Sequence, residues 1–186
     1  MSDAPPLGED SILRALDRAV FAPAAAGRLS DIGARVLGIL ARGPSKIEAW
    51  EAVPLELYGE PLPGGVRSSW MFALRRDVTT GAERHPHSRQ RMVSWKGRGD
   101  FQVHEGPGWR SHALVSDRQA PFDNRWLSIP PETWHQGIVG PEDWLIVSFH
   151  TVPPEELVEV RPDPDDPDPF RPRRTRRRRY LEVSQA

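Results

Sequence analysis

From Ile47 onward every apolar run is cut by glycine or proline before it can grow into a useful helix. That interruption restricts most of the chain to short strands joined by tight turns. The runs 50–57, 69–75, 91–95, 100–104, 112–115, 126–129, 136–139 and 144–151 are rich in Trp, Val, Phe, Leu and Ile. Gly and Pro clusters at 61–65, 96–99, 106–108 and 140–141 separate them. Strands at such regular spacing predict an all-β sandwich or barrel. No strand alternates with a helical pattern, which argues against a parallel α/β sheet.

The first 45 residues have a different texture. Residues 1–8 read as a flexible, proline-containing lead-in. Ile12, Leu13, Leu16, Val20 and Phe21 then recur at helical spacing, with Asp10 or Ser11 as cap and Pro23 as stop. A second stripe, Ile32, Val36, Leu37, Ile39 and Leu40, follows a cap at Ser30 or Asp31 and ends at Gly43-Pro44. The expectation is a helical extension over 9–45 that packs on the barrel, forms a dimer surface or covers an opening. A barrel domain over 46–160 follows it.

Beyond Val160 the chain alternates Pro with Asp and then becomes a run of arginines. Neither composition favours a helix or a central strand, so 161–186 reads as a disordered tail. Residues 173–179 resemble a nucleic-acid patch in charge only. With no aromatic platform beside them, the expectation is a solvated tail that folds back on its acidic neighbour, and no nucleic-acid partner.

Composition removes several classes of function. The 186 residues carry a net charge of −1, which selects no polyanionic or polycationic partner. There is no cysteine, so disulfides, thiolate ligands and a cysteine nucleophile are excluded. Asp3, Glu9 and Asp10 stand where a secretory signal would be basic and then apolar, and no apolar run reaches a membrane span. The expected setting is cytoplasmic, without a membrane partner.

Chemistry concentrates at His85-Pro-His87. In a strand, residues two apart share a face, so both imidazoles would project to one side. A third nitrogen, from His135, would complete a metal site. The competing reading keeps the three histidines as core or pocket residues without an ion.

These residues carry a resemblance to the cupin superfamily, covering about 66 to 152. Its first motif is G-x5-H-x-H-x3,4-E-x6-G, and its second is G-x5-P-x-G-x2-H-x3-N. His85 and His87 match the first pair, 93–103 matches the strand, glycine turn and strand that follow, and Pro130 and His135 match the second motif. Gly81 lies too close to His85, and Glu132 and Val139 stand where the family prefers Gly and Asn. The glutamate ligand is replaced. Counting from His87 puts Arg91 in its slot, and counting back from Gly97 puts Gln90 there. Arginine offers only donors and cannot ligate, whereas Gln90 offers a weak carbonyl oxygen.

The resemblance implies an all-β jelly-roll barrel (a double-stranded β-helix) with a short N-terminal helical extension. It implies a divalent transition metal held by His85, His87, His135 and Gln90, with Fe(II) favoured and Mn, Ni or Zn as alternatives. Arg91 would then receive an anionic group of a small-molecule substrate, with Trp95 and His150 beside it. Residues 144–154 are also similar to the segment after the last metal histidine in cysteine dioxygenase-like cupins. Ser148 and His150 match there and would form a hydrogen-bonded pair near the metal, while Val152 replaces the tyrosine. The expectation is an oxygenase-type, metal-dependent cupin that acts on a small anionic molecule. A non-catalytic sensor of a small ligand and a structural or interaction module are the alternatives, and a homodimer through an exposed barrel edge fits any of them.

Overall fold

A computed structural model describes residues 7–163, 165 and 175–179. Helix α1 (Glu9–Val20) and helix α2 (Pro23–Arg42) precede ten strands. These are β1 (Glu48–Ala52), β2 (Ser68–Leu74), β3 (Gln90–Lys96), β4 (Arg98–Glu105), β5 (Gly108–Val115), β6 (Trp126–Ile129), β7 (His135–Val139), β8 (Trp144–His150), β9 (Val158–Pro162) and β10 (Thr175–Arg179). One sheet has the order β1-β2-β8-β3-β6, a second β5-β4-β7, and β9 pairs with β10. Every pairing is antiparallel. The expected jelly-roll barrel with two N-terminal helices is the architecture found.

Side-chain alternation explains how one sheet serves two cores. Along β2, Trp70, Phe72 and Leu74 point into the barrel, while Met71 and Ala73 point out to the helices. Along β8, Trp144 and Ile146 point in, and Leu145, Val147 and Phe149 point out. Both strands are therefore buried along their whole length. The interior core adds Met92, Phe101, Val103, Leu114 and Ile129. The outer core is closed by Ile12, Leu16 and Val20 of α1 and by Leu29, Ile32, Val36 and Leu40 of α2.

The second helix begins seven positions ahead of the expected cap. Pro23 occupies its first turn, where a missing N–H costs nothing, so the proline read as a stop for α1 also starts α2. Trp144 shows how tightly the barrel is filled. A Cβ on Gly99 would lie 2.3 Å from its ring, so only glycine fits there. No helix among the described residues is long and apolar enough to cross a membrane.

Two described parts of the Pro/Asp- and Arg-rich segment are strand. Arg161 and Pro162 complete β9, and Thr175–Arg179 pairs with it in register. Pro162 sits at the strand's end, where a missing donor is tolerated. Arg176 reaches back to Asp163 at 3.5 Å, as expected of a basic run beside an acidic one. The rest of the expected tail lies outside the described residues.

Arg91 marks the division between the two faces. On β3, Met92 points inward and Val93 outward, so Arg91 points outward and Gln90 inward. The Arg91 guanidinium meets Glu9 of α1 through Nε–Oε1 at 2.7 Å and Nη2–Oε2 at 3.0 Å, and donates to the Gly64 carbonyl at 3.0 Å. Ser128 adds a hydrogen bond to Glu9 at 2.6 Å. At the other end of α1, Asp17 accepts from Arg125 and from Trp126 Nε1. Arg91 is thus a clamp for the helix rather than a receptor for a substrate anion. Replacing Glu9 with Ala leaves the buried cation short of its carboxylate, and should cost about 2 kcal/mol in urea unfolding without altering metal binding.

Candidate metal centre

Glu83 and Arg84 form a two-residue piece of strand between β7 and β9. The Glu83 and His135 backbones exchange two hydrogen bonds of 2.8 Å, and those of Arg84 and Val160 exchange two of 3.0 and 2.9 Å. Alternation then sets the side chains. Glu83 and His85 face inward, while Arg84 faces outward, 2.7 Å from Glu132 and over the Trp134 ring.

Pro86 ends this extended stretch in a turn, and His87 emerges exposed. His85 and His87 therefore do not share a strand face, and the expected three-histidine set of His85, His87 and His135 is not brought together. The cluster that does form is Glu83, His85 and His135, whose ligand atoms all lie within 4.8 Å of one another. The missed signal was Glu83-Arg-His85, an E-x-H two residues ahead of the H-x-H. Shifted by two, the cupin pattern places Asp77, Glu83, His85, Gln90 and Gly97 in its successive slots. Asp77 and Glu132 occupy glycine slots and take the positive φ, 58° and 62°, that glycine adopts easily.

Backbone carbonyls fix both imidazoles. His85 Nδ1 donates to Val158 O at 3.0 Å, and His135 Nδ1 donates to Thr133 O at 3.0 Å. A carbonyl only accepts, so both Nδ1 atoms carry the proton and both Nε2 atoms present a lone pair. His135 Nε2 lies 3.5 Å from Glu83 Oε1. It is buried with no hydrogen-bond partner among the described residues. The Gln90 Oε1 atom is likewise buried with none among them. Two imidazole lone pairs and a carboxylate form a donor set that suits a divalent transition ion, and Gln90 lines the same cavity as Glu83.

Gln90 is held by a polar chain through the barrel. Its Nε2 donates to Ser148 Oγ at 3.4 Å, and Ser148 Oγ lies 3.0 Å from His150 Nε2. His150 Nδ1 is 3.2 Å from Ser88 Oγ, which itself donates to Arg89 O. Read along these bonds, the Ser148 proton goes to His150 Nε2, and His150 Nδ1 donates to Ser88. The His150 ring stands edge-on to His85 with centroids 4.9 Å apart. The expected Ser148–His150 pair is therefore present. Trp95 is not near it, since it stacks on Phe21, just past the end of α1, on the outer side of the sheet.

Burial sets the charge states. It would by itself raise the Glu83 carboxyl, but the charged Arg161 guanidinium 2.8 Å from Oε2 helps hold Glu83 well below the usual carboxylate range. Burial and the neighbouring His135 push the His85 imidazole down to about 4. Burial and His85 push His150 down as well. Glu83 and His85 thus stay in the form that binds cations, and His150 stays neutral within its hydrogen-bonded chain. A cavity of about 30 Å³, room for one or two waters, adjoins Glu83 and Gln90 between Phe72, Met92 and Phe101.

Fold and cluster together define a jelly-roll barrel with a candidate mononuclear centre. No protein-family model matches the chain, and no curated protein matches it. Solved structures that are similar to it include oxalate oxidase in complex with the substrate analogue glycolate (TM-score 0.44, 16% identity, 57% of this chain and 52% of that one). The oxalate decarboxylase of Lactobacillus farciminis in its formate complex is another (0.44, 13%, 58% and 30%). The coconut allergen cocosin is a third (0.40, 19%, 46% and 22%). The chain spans about half of the oxalate oxidase and less of the other two.

The neutral imidazoles make a pH prediction. The unfolded chain takes up a proton near 6.5 that buried His85 refuses until about 4. Its contribution is therefore complete above 6.5 and is lost as the pH falls toward 4. For metal-free protein in chelator, urea unfolding should lose about 2 kcal/mol between pH 7 and 5 from this group. The loss should shrink in His85→Gln, and a flat profile in the native protein would contradict a neutral buried imidazole.

Proposed function

We propose that the protein is a metal-dependent cupin enzyme of the oxygenase type, with Glu83, His85 and His135 as ligands and Gln90 as a further oxygen donor. The observation that carries this reading is the convergence of two carbonyl-fixed imidazoles and a carboxylate held ionised. A 2-His-1-carboxylate set leaves coordination positions open and favours Fe(II), with Mn, Ni or Zn as alternatives. When bound, the ion supplies Lewis acidity and, as iron, redox capacity.

The chain's own residues define what can approach. Phe72, Leu74, Met92, Phe101 and Ile146 make the cavity walls apolar, and its polar lining includes Glu48, Glu83 and Gln90. Its described lining holds no lysine or arginine. The expectation of an anionic substrate rested on Arg91, which is engaged by Glu9 outside the barrel. A substrate of a few non-hydrogen atoms with one polar group fits this cavity better than an anion does. The chain from Gln90 through Ser148 and His150 to Ser88 fixes the amide oxygen toward the ligand set and shields that side from bulk water.

Metal content after anaerobic reconstitution tests this reading. Wild-type protein and His87→Ala should each retain about one Fe(II) per chain, whereas Glu83→Ala and His135→Ala should retain little. Oxygen uptake by the iron form with small neutral alcohols, thiols or aldehydes supports the oxygenase assignment. Bound ion without oxygen uptake by any of them contradicts that assignment and leaves the metal site. No ion in wild type contradicts both.

A further inference from the structure

Arg161 lies where the composition suggests a tail begins, yet its guanidinium is built into the interior. Nε donates to Glu159, which is buried on the same strand. Nη1 donates to the Thr80 carbonyl at 2.9 Å. Nη2 lies 2.8 Å from Glu83 Oε2 and 3.3 Å from Glu48 Oε1. The anchors come from β1, from the segment leading to Glu83 and from β9, so the guanidinium plane has little freedom to turn. Three carboxylates around it keep it charged despite burial.

The consequence concerns which oxygen of Glu83 is offered to an ion. Oε2 is taken by Arg161, while Oε1 is the oxygen near His135 Nε2. We propose that Arg161 is a positioning residue of the metal centre: by holding Oε2 it commits Glu83 to bind through Oε1 alone, and so preserves an open coordination position. This rests on the reading of Glu83, His85 and His135 as the ligands.

Two opposed effects bear on affinity. A nearby cation lowers the attraction of the site for a positive ion, and orientation of the carboxylate raises it. Orientation wins if the guanidinium selects one oxygen, because an unrestrained Glu83 would swing between its two oxygens or chelate with both. Arg161→Lys keeps the charge without the planar fork, and Arg161→Gln removes the charge and keeps a donor.

The test uses Co(II) as probe, with full-length wild type, Arg161→Lys and Arg161→Gln. Affinity is measured by competition with a chromophoric chelator, and coordination by the visible absorption of the bound ion. Arg161→Gln should bind Co(II) about 10- to 100-fold more weakly, with a weaker visible band as both Glu83 oxygens engage. Arg161→Lys should restore only part of both. Folding of each variant is checked by circular dichroism in chelator, so a variant that binds poorly because it is unfolded is set aside in favour of Arg161→Lys. Wild-type affinity and spectrum in a folded variant overturn the role of Arg161 and leave the metal reading standing. Tighter binding does the same. Absence of Co(II) binding by wild type overturns both.

Discussion

The candidate centre depends on the paired hydrogen bonds between the backbones of Glu83 and His135. They place residues from distant parts of the chain in direct register, and side-chain alternation does the rest. Once Glu83 faces inward, His85 must follow it and Arg84 must face out. On the far side, the Arg84–Val160 pair brings β9 alongside, which supplies the Val158 carbonyl for His85 and the Arg161 guanidinium for Glu83. The candidate ligands and the groups that orient them are thus set by one local piece of antiparallel pairing.

Around this seam the barrel separates two kinds of burial. The inner face mixes aromatic and aliphatic packing with a polar row of Gln90, Ser148 and His150, each member hydrogen-bonded to the next. On the outer face Glu9 and Asp17 of α1 grip Arg91 and Arg125, and Tyr58 is hydrogen-bonded to Ser69 within otherwise apolar packing. Unpaired, those two arginines would be costly to bury against a helix, so their partners fix where the helix sits. These two ion pairs belong to the helix layer, whereas the candidate metal donors and the Arg161 cluster belong to the barrel interior.

Much of the fold was legible in the sequence, because glycine and proline clusters punctuate the strands and apolar residues fill both faces of β2 and β8. The eight expected strands all occur, although β1 stops at Ala52 and gives way to a short 3-10 turn. The choice between Gln90 and Arg91 could have been settled by parity, since Gln90 alternates in step with Met92. Two-residue spacing puts His87 on the face of His85 only in a strand, and Pro86 makes that stretch a turn. The E-x-H of Glu83 and His85 is overlapped by the more conspicuous H-x-H. The pairing of β9 with β10 was not legible: the segment between them is rich in Pro and Asp, and β10 is a run of arginines without apolar alternation.

The most direct test of the account is an anomalous-scattering map of crystals grown with Co(II). The account predicts one strong peak inside the barrel, about 2.0–2.2 Å from Nε2 of His85, Nε2 of His135 and one oxygen of Glu83. A peak on His87 at the surface, or none within the barrel, would contradict it.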